Sequence, residues 1–163
     1  LGWFQGGSEF GQRALGNRSI LADPSRPEMK AYINAAVKYR EGFRPFAPSV
    51  LEECQYDVLG IPAGRNSFFM ETVFPILPEW RSRIPAVVHA DGSARPQTVT
   101  KKSNPLFYAL IEEFRRLTGI PLVLNTSFNI NGMPMVETPS DALMCFFDCG
   151  LDALILGDFL VEK

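Results

Sequence analysis

Two short runs of consecutive apolar residues constrain the fold more than any other feature of this sequence. Leu122, Val123 and Leu124 form the first run, and residues 154–156 form the second. Continuous apolar runs of this length are typical of central strands that are covered on both faces, and each run follows a segment with helical spacing. The sequence therefore predicts an α/β fold with a twisted, mixed sheet flanked by helices.

Two segments carry helix start and stop signals. Asn104 is the predicted cap of a helix that ends at Gly119. Thr138, with Asp141 three residues later, is the predicted cap of another helix, which we expect to end at Gly150. The face of the first helix that we expect to be buried comprises Phe107, Leu110, Ile111, Phe114 and Leu117.

An earlier helix is predicted from a capping box. Ser25 and Glu28 have the required spacing, and Met29, Ile33 and Val37 follow with helical periodicity, so this helix should reach about residue 39. Proline and glycine predict loops at 60–66 and 75–82. The predicted strands cover residues 1–5, 19–22, 47–51, 68–74, 84–89, 96–100, 122–126, 153–156 and 159–162.

Composition excludes several classes of protein. The 163 residues have the size of one domain, and 46% of them are hydrophobic, which indicates a globular chain. His89 is the single histidine, so sites built from several histidines are excluded. Three cysteines form no disulfide framework, and we expect Cys145 and Cys149 to be buried thiols. No apolar run approaches the roughly 20 residues that cross a bilayer, so we expect a cytoplasmic protein.

The chain opens without methionine and enters a predicted strand at once. We therefore expect residues 1–163 to be a single domain cut from a longer polypeptide.

Positive charge is concentrated in the first third of the chain. Sixteen Lys and Arg against eighteen Asp and Glu give a formal net charge of -2. Residues 1–50, however, carry seven basic and four acidic side chains. A local excess of positive charge in a chain whose net charge is negative predicts a defined anion pocket. It argues against general binding of polyanions.

The glycine-rich segment 6–19 follows the first predicted strand. Glycines let backbone N–H groups approach an anion, and Arg13 and Arg18 offer planar forks to phosphate or carboxylate oxygens. The segment matches neither a Walker loop nor GxGxxG. The alternative is a turn-rich loop with solvated arginines, in which Arg18 braces the glycines.

A second basic segment lies at the end of the first predicted helix. Lys38 and Arg40 suit a helix C-terminus without any ligand, and Arg40 could pair with Glu41 or Glu9. Arg44 lies beyond the helix, and we expect its guanidinium to contact a ligand.

Further polar residues lie at strand ends. Arg95 follows a hairpin turn, and Asn125 and Ser127 lie at the carboxyl end of a buried strand, where open α/β sheets bind ligands. The turn residues could instead satisfy their own backbone. Ser127 has no G-x-S-x-G context, which disfavours a nucleophilic hydrolase.

Four ordered motifs carry a resemblance to a known family. They are GQRALGNRS at 11–19, FRPFAP at 43–48, DGSARPQTV at 91–99 and LNTSFN at 124–129. In this order they resemble the C-terminal domain of the O-carbamoyltransferases of nodulation-factor and antibiotic biosynthesis. Further matches at 132–142 extend the resemblance over nearly the whole chain.

The resemblance implies a YrdC-like, twisted open sheet that makes carbamoyl adenylate from ATP and carbamoyl phosphate, with Mg²⁺ as a cofactor. Transfer to an acceptor hydroxyl would belong to an N-terminal, sugar-kinase-like domain with a His-bound metal, and no metal ligands are expected in this segment. The resemblance implies that the catalytic residues are Arg13, Lys38, Arg44, Arg95 and Ser127. It implies that the same five residues, together with Arg18, Arg40 and Asn125, contact the nucleotide and carbamoyl phosphate.

Two other functions stay open at this point. The same basic loops would serve a nucleotide-binding or regulatory module without catalysis. A double-stranded RNA binder is the other alternative, although the net negative charge argues against it.

Overall fold

The structure is a computed structural model that describes residues 1–163. Its helices and strands alternate along the chain in an α/β pattern. In chain order they are β1 (Gly2–Phe4), β2 (Arg18–Ala22), α1 (Met29–Tyr32), β3 (Ala47–Leu51), α2 (Gln55–Leu59), β4 (Phe74–Pro75), α3 (Pro78–Arg81), β5 (Ser93–Ala94), β6 (Gln97–Val99), α4 (Pro105–Thr118), β7 (Leu122–Ser127), α5 (Pro139–Asp148), β8 (Ala153–Leu156) and β9 (Phe159–Glu162). A π-helical turn, Ile33–Val37, continues α1, and 3-10 turns cover Glu52–Cys54 and Pro85–Val87.

Seven strands form one mixed sheet in the order β6-β3-β7-β2-β1-β8-β9. The pairs β1–β8 and β3–β6 are parallel, whereas β1–β2 and β8–β9 are antiparallel. Strands β4 and β5 form a separate antiparallel pair. The predicted α/β fold with a mixed sheet and flanking helices is confirmed.

The chain divides into two compact units, and the first consists of Leu1–Ala22, Glu28–Arg44 and Asn125–Lys163. In this unit α5 packs against β1 and β8. Its core includes Ile20, Phe128 and Phe146, each almost fully buried. Strand β1 runs so close to this core that a Cβ on Gly2 would lie 2.9 Å from the Phe128 ring, so glycine is required there.

The second unit consists of Asp23–Pro27 and Pro45–Leu124. Helix α4 packs against β3, and the buried side chains between them include Leu51, Phe107 and Ile111. The longest helix, α4, has 14 residues, and no helix combines the length and apolarity needed to cross a bilayer.

The predicted N-terminal caps of the two later helices and the predicted end of the first at Gly119 are confirmed, whereas the second ends at Asp148, two residues before the predicted Gly150. Asn104 accepts a hydrogen bond from the Phe107 amide, and α4 ends at Gly119 in the left-handed conformation. Thr138 and Asp141 form a reciprocal capping box at the start of α5. The three cysteines are buried and are not in disulfides, as expected.

Other predicted elements are wrong. Residues 84–89 do not form a strand: Pro85 begins a 3-10 turn, because proline has no N–H for a sheet ladder. Of the predicted strand 68–74 only Phe74 is extended in a ladder, and the predicted loop 75–82 contains α3. Leu117 is 67% exposed, because α4 presents only a narrow face to the core.

The capping box predicted at Ser25 is also wrong. Its hydroxyl and amide both donate to Asp23 Oδ1, at 2.7 and 2.9 Å, so Ser25 completes a local Asx turn. Helix α1 begins four residues later at Met29, with Glu28 as a cap that makes no side-chain hydrogen bond.

Candidate functional site

The loop between β1 and β2, here called the glycine loop (residues 5–17), is organised by a carboxylate. Glu9 Oε1 accepts hydrogen bonds from the amides of Leu15 and Asn17, both at 2.7 Å, and of Arg18 at 3.4 Å. Two N–H groups of the loop and the first N–H group of β2 therefore point at one anionic oxygen. Gly11 has a φ of +117°, a conformation that other residues rarely adopt. Sequence reasoning did not identify this role of Glu9.

Arg18 is buried at the end of the glycine loop. Its guanidinium lies 3.5 Å above the Phe4 ring and donates to the carbonyls of Gln5, at 2.9 Å, and Asn17, at 3.2 Å. Burial lowers the pKa of Arg18, and the nearby carboxylates of Glu137 and Glu9 oppose that shift. These contacts brace the loop, which agrees with the alternative prediction that Arg18 holds the glycine-rich segment in place. A role of Arg18 in nucleotide binding stays a prediction.

Lys38, like Arg18, is a predicted site cation that is buried, at 3% exposure. Its Nζ contacts four oxygens at the end of β7: the carbonyl and hydroxyl of Ser127, at 2.5 and 3.1 Å, and the carbonyl and Oδ1 of Asn129, at 2.9 and 2.7 Å. The Ser127 hydroxyl donates to Asn129 Oδ1 at 2.7 Å. The structure therefore brings Lys38 and Ser127 together, and Asn129 completes the cluster.

Two effects act on the Lys38 ammonium. Burial, followed by the Arg40 guanidinium, lowers the pKa of Lys38 to about 7. The four oxygen contacts act in the opposite sense, because they stabilise the charged form. The pKa of Lys38 therefore lies near neutral pH.

Arg40 and Arg44 are linked through Asn34, a fully buried residue on the π-helical turn. Asn34 Oδ1 accepts from Arg40 Nε at 2.7 Å, and its Nδ2 donates to the Arg44 carbonyl at 3.0 Å. Arg44 Nε contacts Glu41 Oε2 at 3.1 Å, and both of these side chains are more than half exposed. Asn34 thus positions the backbone that carries two predicted site arginines, a role that the sequence did not reveal.

Asn125 is buried on β7, and its Nδ2 donates to the Ala14 carbonyl at 3.1 Å. This hydrogen bond holds the glycine loop at Ala14, the residue next to Arg13. The Arg13 side chain is half-buried. As predicted, Asn125 and Ser127 lie at the carboxyl end of a buried strand. The first unit therefore contains every predicted site residue except Arg95.

Arg95 belongs to the second unit and lies directly after β5. It lines a cavity of about 130 Å³ together with His89. The remaining walls of this cavity are apolar and consist of Pro45, Phe46, Ala47 and Val73. A small, partly apolar cavity with two basic side chains is suited to a small anion.

Comparison with known proteins assigns the family. The model of the carbamoyltransferase C-terminus matches residues 1–163. The chain is 50% identical over 164 positions to nodulation protein NolNO of Sinorhizobium fredii and 49% identical over 164 positions to nodulation protein NolO of Bradyrhizobium diazoefficiens. These alignments cover 100% of this chain, but only 24% and 30% of the respective relatives.

A third relative, nodulation protein U of Rhizobium tropici, is 49% identical over 129 residues, which cover 78% of this chain and 22% of that protein. The resemblance inferred from the four motifs is thereby confirmed. The chain belongs to the carbamoyltransferase C-terminus family.

Proposed function

We propose that this chain forms carbamoyl adenylate from ATP and carbamoyl phosphate, as the adenylate-forming part of an O-carbamoyltransferase. The observation that supports this most directly is the buried Lys38 ammonium beside Ser127 at the end of β7. The same unit carries Arg13, Arg40 and Arg44. Family membership supports the class of reaction.

The chemistry of the step explains why cations are needed. Carbamoyl phosphate and water give carbamate and inorganic phosphate. A carbamate oxygen then attacks the α-phosphorus of ATP, a new P–O bond forms, and the bond to the β-phosphate breaks as pyrophosphate leaves. Negative charge shifts onto the pyrophosphate, so fixed cations lower the barrier, and no side-chain nucleophile is required.

Each predicted site residue has a role in this proposal. Arg13, Lys38, Arg44 and Arg95 contact phosphate oxygens, and Ser127 donates or accepts a hydrogen bond at the carbamoyl group. Arg18, Arg40 and Asn125 complete the binding of ATP and carbamoyl phosphate by holding the loops that carry these residues.

Mg²⁺ enters the proposal as part of the MgATP substrate. No group of three or more His, Cys, Asp or Glu side chains in residues 1–163 is arranged to hold a metal ion. Mg²⁺ is commonly held by substrate phosphates and water with one or two carboxylates, so a dedicated protein cage is not needed. The phosphates of ATP would supply most of its ligands.

Transfer to an acceptor hydroxyl requires a further part of the protein. The chain spans only about a quarter of the length of the curated relatives that it matches. We assign transfer to an N-terminal, sugar-kinase-like domain of the same polypeptide, with its own metal, and place the whole reaction in the cytoplasm. A mixture of ATP, carbamoyl phosphate and acceptor should therefore yield no carbamoylated acceptor with this chain alone.

Pyrophosphate exchange tests the proposal. The chain should move labelled pyrophosphate into ATP only when carbamoyl phosphate is present. A thermal shift with ATP but no exchange would indicate a non-catalytic nucleotide-binding module. A salt-sensitive gel shift with double-stranded RNA, without exchange, would indicate an RNA binder.

A further inference from the structure

Asn129 contacts both Lys38 and Ser127 but has no role in the proposed step described so far. Its Oδ1 lies 2.7 Å from Lys38 Nζ and 2.7 Å from Ser127 Oγ. All three residues belong to the first compact unit. Asn129 therefore lies where it can decide which hydrogen-bonding groups of the other two side chains are left for a ligand.

The contacts of the Asn129 side chain determine which of its two amide atoms faces Ser127. The other amide atom, Nδ2, donates to the Met133 carbonyl at 2.6 Å. A carbonyl oxygen only accepts hydrogen bonds, so the amide atom beside it must be the nitrogen. A flipped amide would also direct N–H groups at the Lys38 ammonium, which only donates. The Asn129 oxygen is therefore the atom that faces Lys38 and Ser127.

The same inventory of donors and acceptors fixes the direction of the Ser127 hydroxyl. Lys38 Nζ lies 3.1 Å from Ser127 Oγ, but an ammonium has no lone pair and cannot accept the hydroxyl hydrogen. Asn129 Oδ1, at 2.7 Å, can accept it. Ser127 therefore donates its only hydroxyl hydrogen to Asn129. What its oxygen offers to a ligand is a lone pair.

The turn that carries Ser127 and Asn129 is held by backbone hydrogen bonds. The Asn129 amide donates to the Ser127 carbonyl at 3.1 Å. Between them, Phe128 is fully buried, its amide donates to the Arg18 carbonyl and its carbonyl accepts from the Val136 amide, both at 2.9 Å. The Ser127 side chain is half-buried, so a ligand can reach its oxygen. The direction of the hydroxyl is thus built into the turn.

We propose that Asn129 is a positioning residue that makes Ser127 a hydrogen-bond acceptor, and that the Ser127 oxygen selects the carbamoyl group by accepting from its amino group. The oxygens of a carbamoyl group only accept, so its NH₂ is the part that this hydroxyl can bind. A methyl group in the same place would leave the Ser127 oxygen without a donor. The inference rests on the proposed function, because that function places the carbamoyl group at Ser127.

Acetyl phosphate is the probe of this selection, because it has the shape and charge of carbamoyl phosphate with a methyl group in place of NH₂. Calorimetry at about pH 6, below the Lys38 pKa of about 7, measures both affinities while Lys38 is an ammonium. The wild type should bind carbamoyl phosphate at least about tenfold more tightly than acetyl phosphate, since the latter leaves a desolvated acceptor unpaired. Equal affinities would overturn the inference.

Two variants test the roles of the hydroxyl and of its acceptor. Ser127→Ala removes the oxygen, and the ratio of the two affinities should fall to within about threefold of unity. Asn129→Ala releases the hydroxyl hydrogen, so that Ser127 can donate to the carbonyl oxygen that both ligands share, and the ratio should fall in the same way. A purely structural role of Asn129 would weaken both ligands equally. An unchanged ratio in either variant would refute the inference.

Two further variants serve as rescue and as control. Asn129→Asp keeps an acceptor oxygen beside Ser127 and should retain the preference for carbamoyl phosphate, whatever it does to the affinity for both anions. Loss of the preference in this variant would contradict the role assigned to the Asn129 oxygen. Asn131→Ala removes an amide of the same loop that donates to the Tyr39 carbonyl at 3.4 Å, and it should leave the ratio unchanged.

Failure of this inference is distinguishable from failure of the proposed function. Carbamoyl-phosphate-dependent exchange by a wild type that binds both acyl phosphates equally would contradict the inference and leave the function in place. A preference for carbamoyl phosphate that Asn129→Ala abolishes, without exchange, would support the inference and contradict the function. Binding of neither acyl phosphate would contradict both.

Discussion

Lys38 Nζ lies 2.5 Å from the carbonyl oxygen and 3.1 Å from the hydroxyl oxygen of Ser127, although 89 residues separate the two in sequence. The contact joins the end of the π-helical turn to the carboxyl end of β7. It places a buried, titratable cation beside a hydroxyl that the family motif also contains. The first prediction follows from the pKa of this lysine.

The pH dependence of stability should change in Lys38→Met. The pKa of Lys38 is lowered to about 7 by burial and then by Arg40, so between pH 7 and the unfolded value of 10.5 the unfolded chain binds more protons than the folded chain. Unfolding free energy from this group therefore rises with pH in that window, by up to about 1.4 kcal/mol per unit, and is lowest below it.

Urea denaturation of wild type and Lys38→Met at several pH values between about 7 and 9.5 measures this contribution as a difference, so that other titrating groups largely cancel. The wild type should gain stability relative to the variant as the pH rises. A difference that is constant over the window would show that Lys38 keeps its proton.

Arg44→Ala should weaken ATP binding by about tenfold or more, because a charge-assisted phosphate contact is typically worth about 1.5 to 3 kcal/mol. Its pair with Glu41 is exposed, so stability should change by less than about 0.5 kcal/mol. Arg116→Ala is the matched control, because Arg116 makes a similarly exposed pair with Glu113. Calorimetry that gives Arg44→Ala and Arg116→Ala equal ATP affinity would remove Arg44 from the site.

Glu9→Ala should destabilise the chain by about 1 to 3 kcal/mol, because amides in the glycine loop lose their shared acceptor. Glu9→Gln keeps an acceptor oxygen at the same place and should lose less than half as much. Chemical denaturation gives both values. Equal, negligible losses would show that water replaces the carboxylate and that Glu9 does not organise the loop.

Elements with local signals could be predicted from the sequence. Asn104, Gly119 and the Thr138 capping box define helix ends through hydrogen bonds to nearby residues, so their patterns survive in any fold. Residues 84–89 have a strand-like composition, but Pro85 removes a ladder donor, and the segment turns instead. Short helices such as α3, with four residues, have too few positions for a periodic signal.

The candidate site was predictable where the chemistry itself requires a residue type. Arginines, Lys38 and Ser127 stand out in motifs because phosphate chemistry needs cations and donors. Glu9 and Asn34 act through backbone groups of distant loop residues, and no spacing rule encodes such contacts. Asn129 lies inside a recognised motif, but only the fold shows its contact with Lys38.

Carbamoyl-phosphate-dependent pyrophosphate exchange in Arg95→Ala and Ser127→Ala, measured beside the melting temperature, tests the central claim most directly. The wild type should catalyse exchange, and each variant should lose at least about tenfold of it. Both should melt within about 4 °C of the wild type, because neither change removes more than roughly 1 kcal/mol of stability. Absence of exchange in the wild type, or unimpaired exchange in both folded variants, would contradict the account.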